Sequence, residues 1–540
     1  MERAKLADST ASSSNTRPLA CRRPARRARF RALYLCRCPA TTCPQTDRHM
    51  PALARSPLLL AALLVSLIAA NPALAQIPAG EYAARRDSLA ARVHNGVVVA
   101  FGGRTPVSDF GPFHQLPSFH YLTNFHEPDA AFVMVVRDGR GTSTLFLTPI
   151  APRRAFYYGR RPDSAEVVRS FGMRARSFAA LGGVVDSLAR ENLPFFVLDD
   201  FEDADFATQD SLTRGKQFVR ALKAHHASGI EIRDAHPIVD ELRARKSPAE
   251  MALLRRAAEI STEGHRAAMT IPEPTKEYEI QAALEGTFLR LGGARPSYGS
   301  IVGGGVHGTQ LHYMRDRGDV KPGDVVVMDA ATEYEGYAAD ITRTLPVSGK
   351  FTAAQRAIYQ LVRDAQAAAE RNSKPGMSSV AAQDSSFDIR ARGLATLGLV
   401  ESADAQIDLP WPADCTATPR ACKQAMFWMI HGISHGIGLA VHDPAQFYAK
   451  DHLFKQGDAF TIEPGIYVST TALDALPDTP RNRAFIAKVK PVVQRYENTG
   501  VRIEDDYLIT EKGLERISLA PREIEEVEAL MQKRPPRAVP

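Results

Sequence analysis

The chain has 540 residues, 44% apolar and 24% charged, an ordinary globular balance with room for two or three domains. Its formal charge of +6 is unevenly placed: residues 1–49 hold 11 Lys or Arg against 3 acids, which leaves −2 for the remainder. Nucleic acid is therefore excluded as an expected partner, because the one basic segment precedes a targeting signal.

From Met50 the sequence reads MPALARSPLLLAALLVSLIAANPALAQ. Arg55 gives a short positive start. The apolar run Leu58–Ala70 is about 13 residues, too short for a comfortable bilayer span and right for a signal-peptide core. Ala73-Leu74-Ala75 is a small-residue cleavage site. Residues 50–75 are expected to be a signal peptide cut near Ala75. The mature chain would be exported, periplasmic or secreted, with no stable membrane span. Residues 1–49 then read as a misassigned or disordered extension, or alternatively as a long basic leader. Four of the six cysteines lie before Met50, so the mature chain keeps Cys415 and Cys422. Export favours a local disulfide between them over two free thiols.

Residues 77–243 read as an α/β domain. Gly96–Phe101, Ala131–Val136 and Ser143–Leu147 are apolar strand patterns, and Ser164–Phe171, Ala179–Glu191 and Ser211–His226 are helical. Their alternation predicts a mixed or parallel sheet covered by helices. A second domain, 247–530, opens on Ser247-Pro248-Ala249-Glu250, a capping box with proline in the first turn. That helix buries Met251, Leu254 and Ala258. Thr352 to Gln355 opens another helix, to about Glu370. Residues 401–424 break periodicity and read as a surface insertion. Pro521–Gln532 reads as a helix and Arg534–Pro540 as a disordered tail.

Within the second domain, Asp324–Val347 reads as a hairpin about Glu335-Gly336. With those two residues as the loop, Asp340 faces Ala331, two residues from Asp329. The two aspartates then share a face, roughly 7–8 Å apart at the backbone. Two such carboxylates either hold a cation or sit at a wet sheet edge. Glu463, before the Pro464-Gly465 turn, and Glu504, sharing a strand face with Arg502, add two acids embedded in apolar strands. Carboxylates together with histidine suit hard divalent metals.

The stretch HGISHGIGLAVHD holds His431, His435 and His442. The first two have the spacing of zinc ligands on a helix, but Gly432, Gly436 and Gly438 argue against a helix. Gly432 also stands where a zincin would have its glutamate.

Taken in order, Asp329, Asp340, His435, Glu463 and Glu504 resemble the two-metal centre of the pita-bread metallopeptidases, and most of all the aminopeptidase P (Xaa-Pro aminopeptidase) family. The resemblance is carried by IVGGGVHGTQLHY (301–313), DAATEYEGYAADITRT (329–344), HGISHGIGLAVHD (431–443), TIEPGIYV (461–468) and GVRIEDDYLIT (500–510). It implies an α/β (α+β) architecture: an N-terminal α/β domain and a C-terminal pita-bread domain, a curved antiparallel sheet flanked by helices. It implies two divalent ions, Mn2+ foremost and Zn2+ or Co2+ as alternatives, held by Asp329, Asp340, His435, Glu463 and Glu504. A hydroxide bridging them would cut the Xaa-Pro bond at a peptide N-terminus. Glu463 would shuttle the proton, His312 and His442 would handle the substrate carbonyl, His431 would line the cleft, and Arg502 and Tyr467 would support the ligands. Asp443 is followed by Pro444-Ala445 where the family has a valine-glycine step. Proline-containing peptides are the implied partners and a homo-oligomer the expected assembly. The alternatives are a dipeptide-only prolidase or a non-catalytic binding protein on the same fold.

Overall fold

The computed structural model describes residues 76–106, 108, 110–198, 213–226 and 229–537; the expected basic extension and signal peptide lie outside them. Described residues all belong to one unit, Pro72–Pro540. Six strands form the N-terminal sheet: β1 (Gly96–Phe101), β2 (Ala131–Arg137), β3 (Arg140–Leu147), β4 (Arg174–Ser177), β5 (Phe195–Leu198) and β6 (Ile232–Asp234). Their order is β4-β3-β2-β1-β5-β6. The sheet is mixed: β1–β2 and β2–β3 are antiparallel, the other pairs parallel. Side chains alternate between its faces, as a pleated strand requires. Val97 and Val99 pack with Leu181, Val185 and Leu222, while Val98 and Ala100 join the larger core with Leu89, Val93 and Leu122.

The helix Ser164–Phe171 stands where the sequence puts it, closed by an Asp163–Glu166 capping box. The helix expected over 179–191 is shorter, Leu181–Ala189 after a 3-10 turn. In the second domain the helix Pro248–Met269 begins at the predicted Ser247–Glu250 box and buries Met251, Leu254 and Ala258. The helix Ala353–Asn372 begins at the Thr352–Gln355 box.

Two antiparallel ribbons form the centre of this domain. In the first, β9 (Val325–Asp329) pairs with β12 (Thr342–Pro346) and with β8 (Ile301–Gly304). Further out, β10 (Thr332–Tyr334) pairs with β11 (Tyr337–Ala338) and with the short β7 (Arg295–Pro296). Thr342 faces Asp329 and Tyr334 faces Tyr337. The register is the same on both sides of the break, so Asp340 falls opposite Ala331 as the turn predicts. Glu335 and Gly336 have φ of 50° and 85°, the two left-handed residues of a type I′ turn.

The second ribbon repeats the plan. Strand β13 (Ala459–Ile462) pairs with β16 (Asp505–Thr510), and β14 (Gly465–Val468) with β15 (Thr499–Arg502). Ile462 faces Asp505 and Gly465 faces Arg502, so Glu463 lies opposite Glu504 in the gap. Strand β17 (Gly513–Arg516) borders β16. Each ribbon thus loses its ladder beside its acids: Asp340, Glu463 and Glu504 lie in the breaks, and Asp329 is the last paired residue before one.

Residues 431–443 contain no helix, as the glycines imply. They are not a strand either: isolated bridges, Gly436 to Asp443 and to Phe460, and single backbone bonds such as Thr461 N to the His435 carbonyl hold them in place. In the 401–424 insertion Cys415 and Cys422 form a disulfide. The insertion is fastened to neighbouring helices: Arg420 pairs with Asp384, and Asp408 accepts from Thr479 and Arg481. The expected disordered tail needs correction over its described part. Arg534 donates to the carbonyls of Met269 (3.0 Å) and Val347 (2.9 Å), and Arg537 pairs with Glu279 at 2.8 Å. The final helix is Ile524–Met531.

The I′ turn also meets the N-terminal domain. A Cβ on Gly336 would come within 2.6 Å of the His120 ring. Gly336→Val should therefore destabilise the protein by about 2 kcal/mol or more, through left-handed strain plus overpacking. Denaturant unfolding of the two proteins measures it; equal midpoints would show that the turn carries neither constraint.

Candidate active site and metal centre

Both ribbon breaks and the histidine segment converge on one point. His435 Nε2 lies 3.4 Å from Asp340 Oδ2, 3.5 Å from Glu463 Oε1 and 3.9 Å from Glu504 Oε1. Asp340, His435 and Glu504 each offer one ligand atom, and these lie within 4.8 Å of one another. His435 Nδ1 is 3.0 Å from the Gly436 carbonyl, which can only accept. Nδ1 therefore carries a proton, and Nε2 faces the carboxylates, the orientation a metal-binding imidazole needs.

Asp329 joins the group through Tyr298, whose hydroxyl is 2.5 Å from Asp329 Oδ1 and 2.5 Å from Asp340 Oδ1. The two aspartates thus share a face. One hydroxyl has one proton, so the second short contact needs another proton on a carboxyl oxygen, or a cation.

The electrostatics say the same. Burial raises Asp340 and Glu504 well above the usual carboxylate range, and repulsion adds to it: from Asp329 on Asp340, and from Asp340 and Asp329 on Glu504. Burial, then Glu504, pushes Glu463 up to about 8. Arg502 is the cation among them, with Nη2 2.5 Å from Asp329 Oδ2. One arginine cannot neutralise four carboxylates, of which Asp329, Asp340 and Glu504 are buried. One imidazole lone pair and four carboxylates, short of positive charge, are a donor set that fits hard divalent ions.

A hydrogen-bonded frame holds these groups. Arg502 Nη1 donates to the Tyr467 hydroxyl at 2.7 Å, and that hydroxyl lies 2.8 Å from His431 Nε2. With its oxygen occupied by Arg502, the hydroxyl donates to His431. His431 Nδ1 then faces Glu463 Oε2 at 3.5 Å. Burial, then the charges of Arg502 and Arg390, keep His431 neutral by lowering its pKa well below 6.5. Thr342 Oγ1 donates to Glu504 Oε2 at 2.6 Å, and the Asp506 carboxylate accepts the Asp340 backbone N–H at 3.1 Å.

His442 is exposed, its ring 4.3 Å from that of His435. His312 is also exposed. Tyr298, Thr342, Arg390 and Asp506 were not among the residues expected from the sequence. Asp506 had a signal, since it follows Glu504-Asp505; Tyr298 lies in a stretch without periodicity.

The raised carboxylates give a pH prediction for the protein without added metal. Glu463 keeps its proton up to about pH 8 when folded but releases it near 4.5 when unfolded. Over that window the folded state binds more protons, so stability falls as pH rises. The melting temperature should drop between pH 5 and pH 8, and a saturating divalent cation should remove the drop. A flat profile without metal would contradict the buried charge deficit.

The comparisons agree with this geometry. The model of metallopeptidase family M24 matches residues 252–511, and that of the aminopeptidase P N-terminal domain matches residues 82–193. A Xaa-Pro aminopeptidase of Escherichia coli (strain K12) is 32% identical over 470 residues, which cover 85% of this chain and 99% of the relative. A Xaa-Pro aminopeptidase of Haemophilus influenzae is 32% identical over 466 residues, with 85% and 98% covered. Among solved structures, proline aminopeptidase P II from Yersinia pestis is similar at a TM-score of 0.69 and 30% identity, covering 84% of this chain and 100% of its own. Zn-substituted E. coli aminopeptidase P in complex with product is similar at 0.69 and 30%, covering 85% and 99%. With the fold, the acidic centre and relatives matched along nearly their whole length, the chain belongs to metallopeptidase family M24, in the group that carries the aminopeptidase P N-terminal domain.

Proposed function

We propose that this enzyme removes the N-terminal residue from peptides whose second residue is proline. The observation that carries the reading is the convergence of Asp329, Asp340, His435, Glu463 and Glu504 in a chain that also has the aminopeptidase P N-terminal domain. That domain, and relatives named Xaa-Pro aminopeptidase, favour peptides over dipeptides alone. The boundaries that fit are 77–243 and 247–530, with 401–424 inserted.

Those five residues would hold two divalent ions, which when bound supply Lewis acidity toward an amide carbonyl and toward water. We propose manganese, because a set with one nitrogen and four carboxylates suits a hard ion. The chain's own residues do the rest. Glu463, set between His435 and His431, can take a proton from water and hand it to the leaving proline nitrogen. His431, fixed by the Arg502–Tyr467 pair, presents Nδ1 to Glu463 and keeps that carboxyl oriented. His442 and His312, exposed on the open side, can donate to the oxyanion that forms at the scissile carbonyl. Arg502 balances Asp329 from behind.

We further propose that Met50–Ala75 is an export signal, from its charge, apolar core and Ala-Leu-Ala site. A homo-oligomer is also proposed, supported by the adjacent exposed Phe156, Tyr157 and Tyr158. Among the described residues, no helix is long and apolar enough to cross a membrane.

Two measurements test the catalytic reading. A peptide panel with manganese supplied should show cleavage of Xaa-Pro-Yaa and none of Xaa-Ala-Yaa; activity confined to Xaa-Pro dipeptides would make it a prolidase. His435→Ala should lower bound metal, whereas His442→Ala should keep the metal and lower kcat by about 100-fold or more. Equal metal loss in both would refute the division of roles. Expressed with its leader in a secreting host, the mature protein should begin at Gln76 by mass spectrometry; retention of residues 50–75 would refute the signal.

A further inference from the structure

Asp443 follows His442 and points away from the acidic centre into the joint between the two domains. It is buried to 4% exposure, and its carboxylate meets two buried cations. Arg243 Nη2 donates to Oδ1 at 2.5 Å, and Lys246 Nζ donates to Oδ2 at 2.9 Å. Both cations come from the linker: Arg243 ends the helix His236–Arg243, and Lys246 precedes the Ser247 cap. Arg243 Nη1 reaches on to the Ser118 hydroxyl at 2.7 Å, in the N-terminal helix Pro117–Thr123. Lys246 Nζ also donates to the Pro444 carbonyl at 2.9 Å, and Lys246 N to the Gly457 carbonyl at 2.8 Å.

The same carboxylate closes the loop that carries His442. Ala440 N donates to Asp443 Oδ1 at 3.2 Å, and Asp443 N donates to the Gly436 carbonyl at 2.9 Å. Gly438 lies so near that a Cβ there would come within 2.4 Å of Asp443 Oδ2. Residues 436–443 are thus folded around one side chain, with His442 held outside beside His435. On the opposite flank, Ala338 N donates to the Gly438 carbonyl at 2.7 Å and ties the loop to the ribbon bearing Asp340.

Buried ion pairs contribute little net stability against apolar residues of the same volume. What two linker cations around one carboxylate add is a fixed geometry. We propose that Asp443, gripped by Arg243 and Lys246, is the positioning residue for His442, so that the interdomain linker sets the substrate-facing side of the active site. Burial opposes the Asp443 charge, yet the two cations outweigh it and hold its carboxyl below the usual range, so the grip persists throughout the neutral range. This inference rests on the cleft role of His442 proposed above.

A double-mutant cycle on the full-length, metal-loaded enzyme tests it, with kcat, KM, metal content and melting temperature measured together. Asp443→Asn keeps the shape and loses the charge. It should lower kcat about 10-fold to 100-fold, shift KM less than about threefold and leave metal content unchanged, since misplacement by about 1 Å can cost that much. In the His442→Ala background the same change should alter kcat by less than about twofold, because its target is gone. Lys246→Met should repeat the pattern and serves if the asparagine variant folds poorly. A full additional loss in the His442→Ala background would overturn the proposal, leaving a structural ion pair. A silent His442→Ala would instead overturn the cleft role, which keeps the two failures distinguishable.

Discussion

Four carboxylates crowd together in a place that water hardly reaches, and the rest of the catalytic domain follows from holding them there. Asp340, Glu463 and Glu504 are all driven toward their protonated forms by burial and by one another. A chain free to relax would turn them into solvent. The fold prevents this by setting Asp340, Glu463 and Glu504 at breaks in two antiparallel ribbons and Asp329 at the strand end beside one. At the breaks the ladder opens for three residues in the first ribbon and two in the second, while the strands beyond keep register. The repulsion is thus stored in a scaffold that cannot yield cheaply, and a cation set releases it.

The sequence made the ribbons legible because their turn chemistry is local. Glu335-Gly336 demands a type I′ turn, a two-residue turn fixes the register, and the register puts Asp329 and Asp340 on one face. Helix starts at Ser247 and Thr352 were equally local: capping boxes need three residues and no tertiary context. The histidine segment was readable only in part. Its glycines ruled out a helix, but a loop wound around the Asp443 carboxylate has no periodic signature. Tyr298 could not be found from sequence, since its hydroxyl reaches the aspartates from a segment without pattern. The tail failed for a related reason. Arg534 and Arg537 look like solvated charge, yet both are spent on carbonyls or a carboxylate of other elements.

The site residues whose roles came from resemblance alone differ in how much geometry stands beside them. His435 turns Nε2 toward three carboxylates, which is specific. His431 is fixed by a directional chain from Arg502 through Tyr467. His312 and His442 are exposed, and His442 lies beside His435 with ring centroids 4.3 Å apart.

The N-terminal domain is more than an appendage in this arrangement. It reaches the elements that carry the acidic centre by two buried routes. In one, Arg85 lies 3.3 Å from Glu250, the capping-box residue that also accepts from the Tyr337 hydroxyl at 3.0 Å on the ribbon arm. In the other, Ser118 and Arg243 lead to Asp443 and the histidine loop. Both routes end on charge-assisted hydrogen bonds, which are directional where apolar packing is not. Apolar contact could dock the two domains at many angles; a guanidinium shared between a hydroxyl of one domain and a carboxylate of the other accepts few. The same physics that makes such pairs poor sources of net stability makes them good sources of geometry. That is the property needed where one face of the active site is built by the ribbons and the other by a loop that has no regular structure of its own.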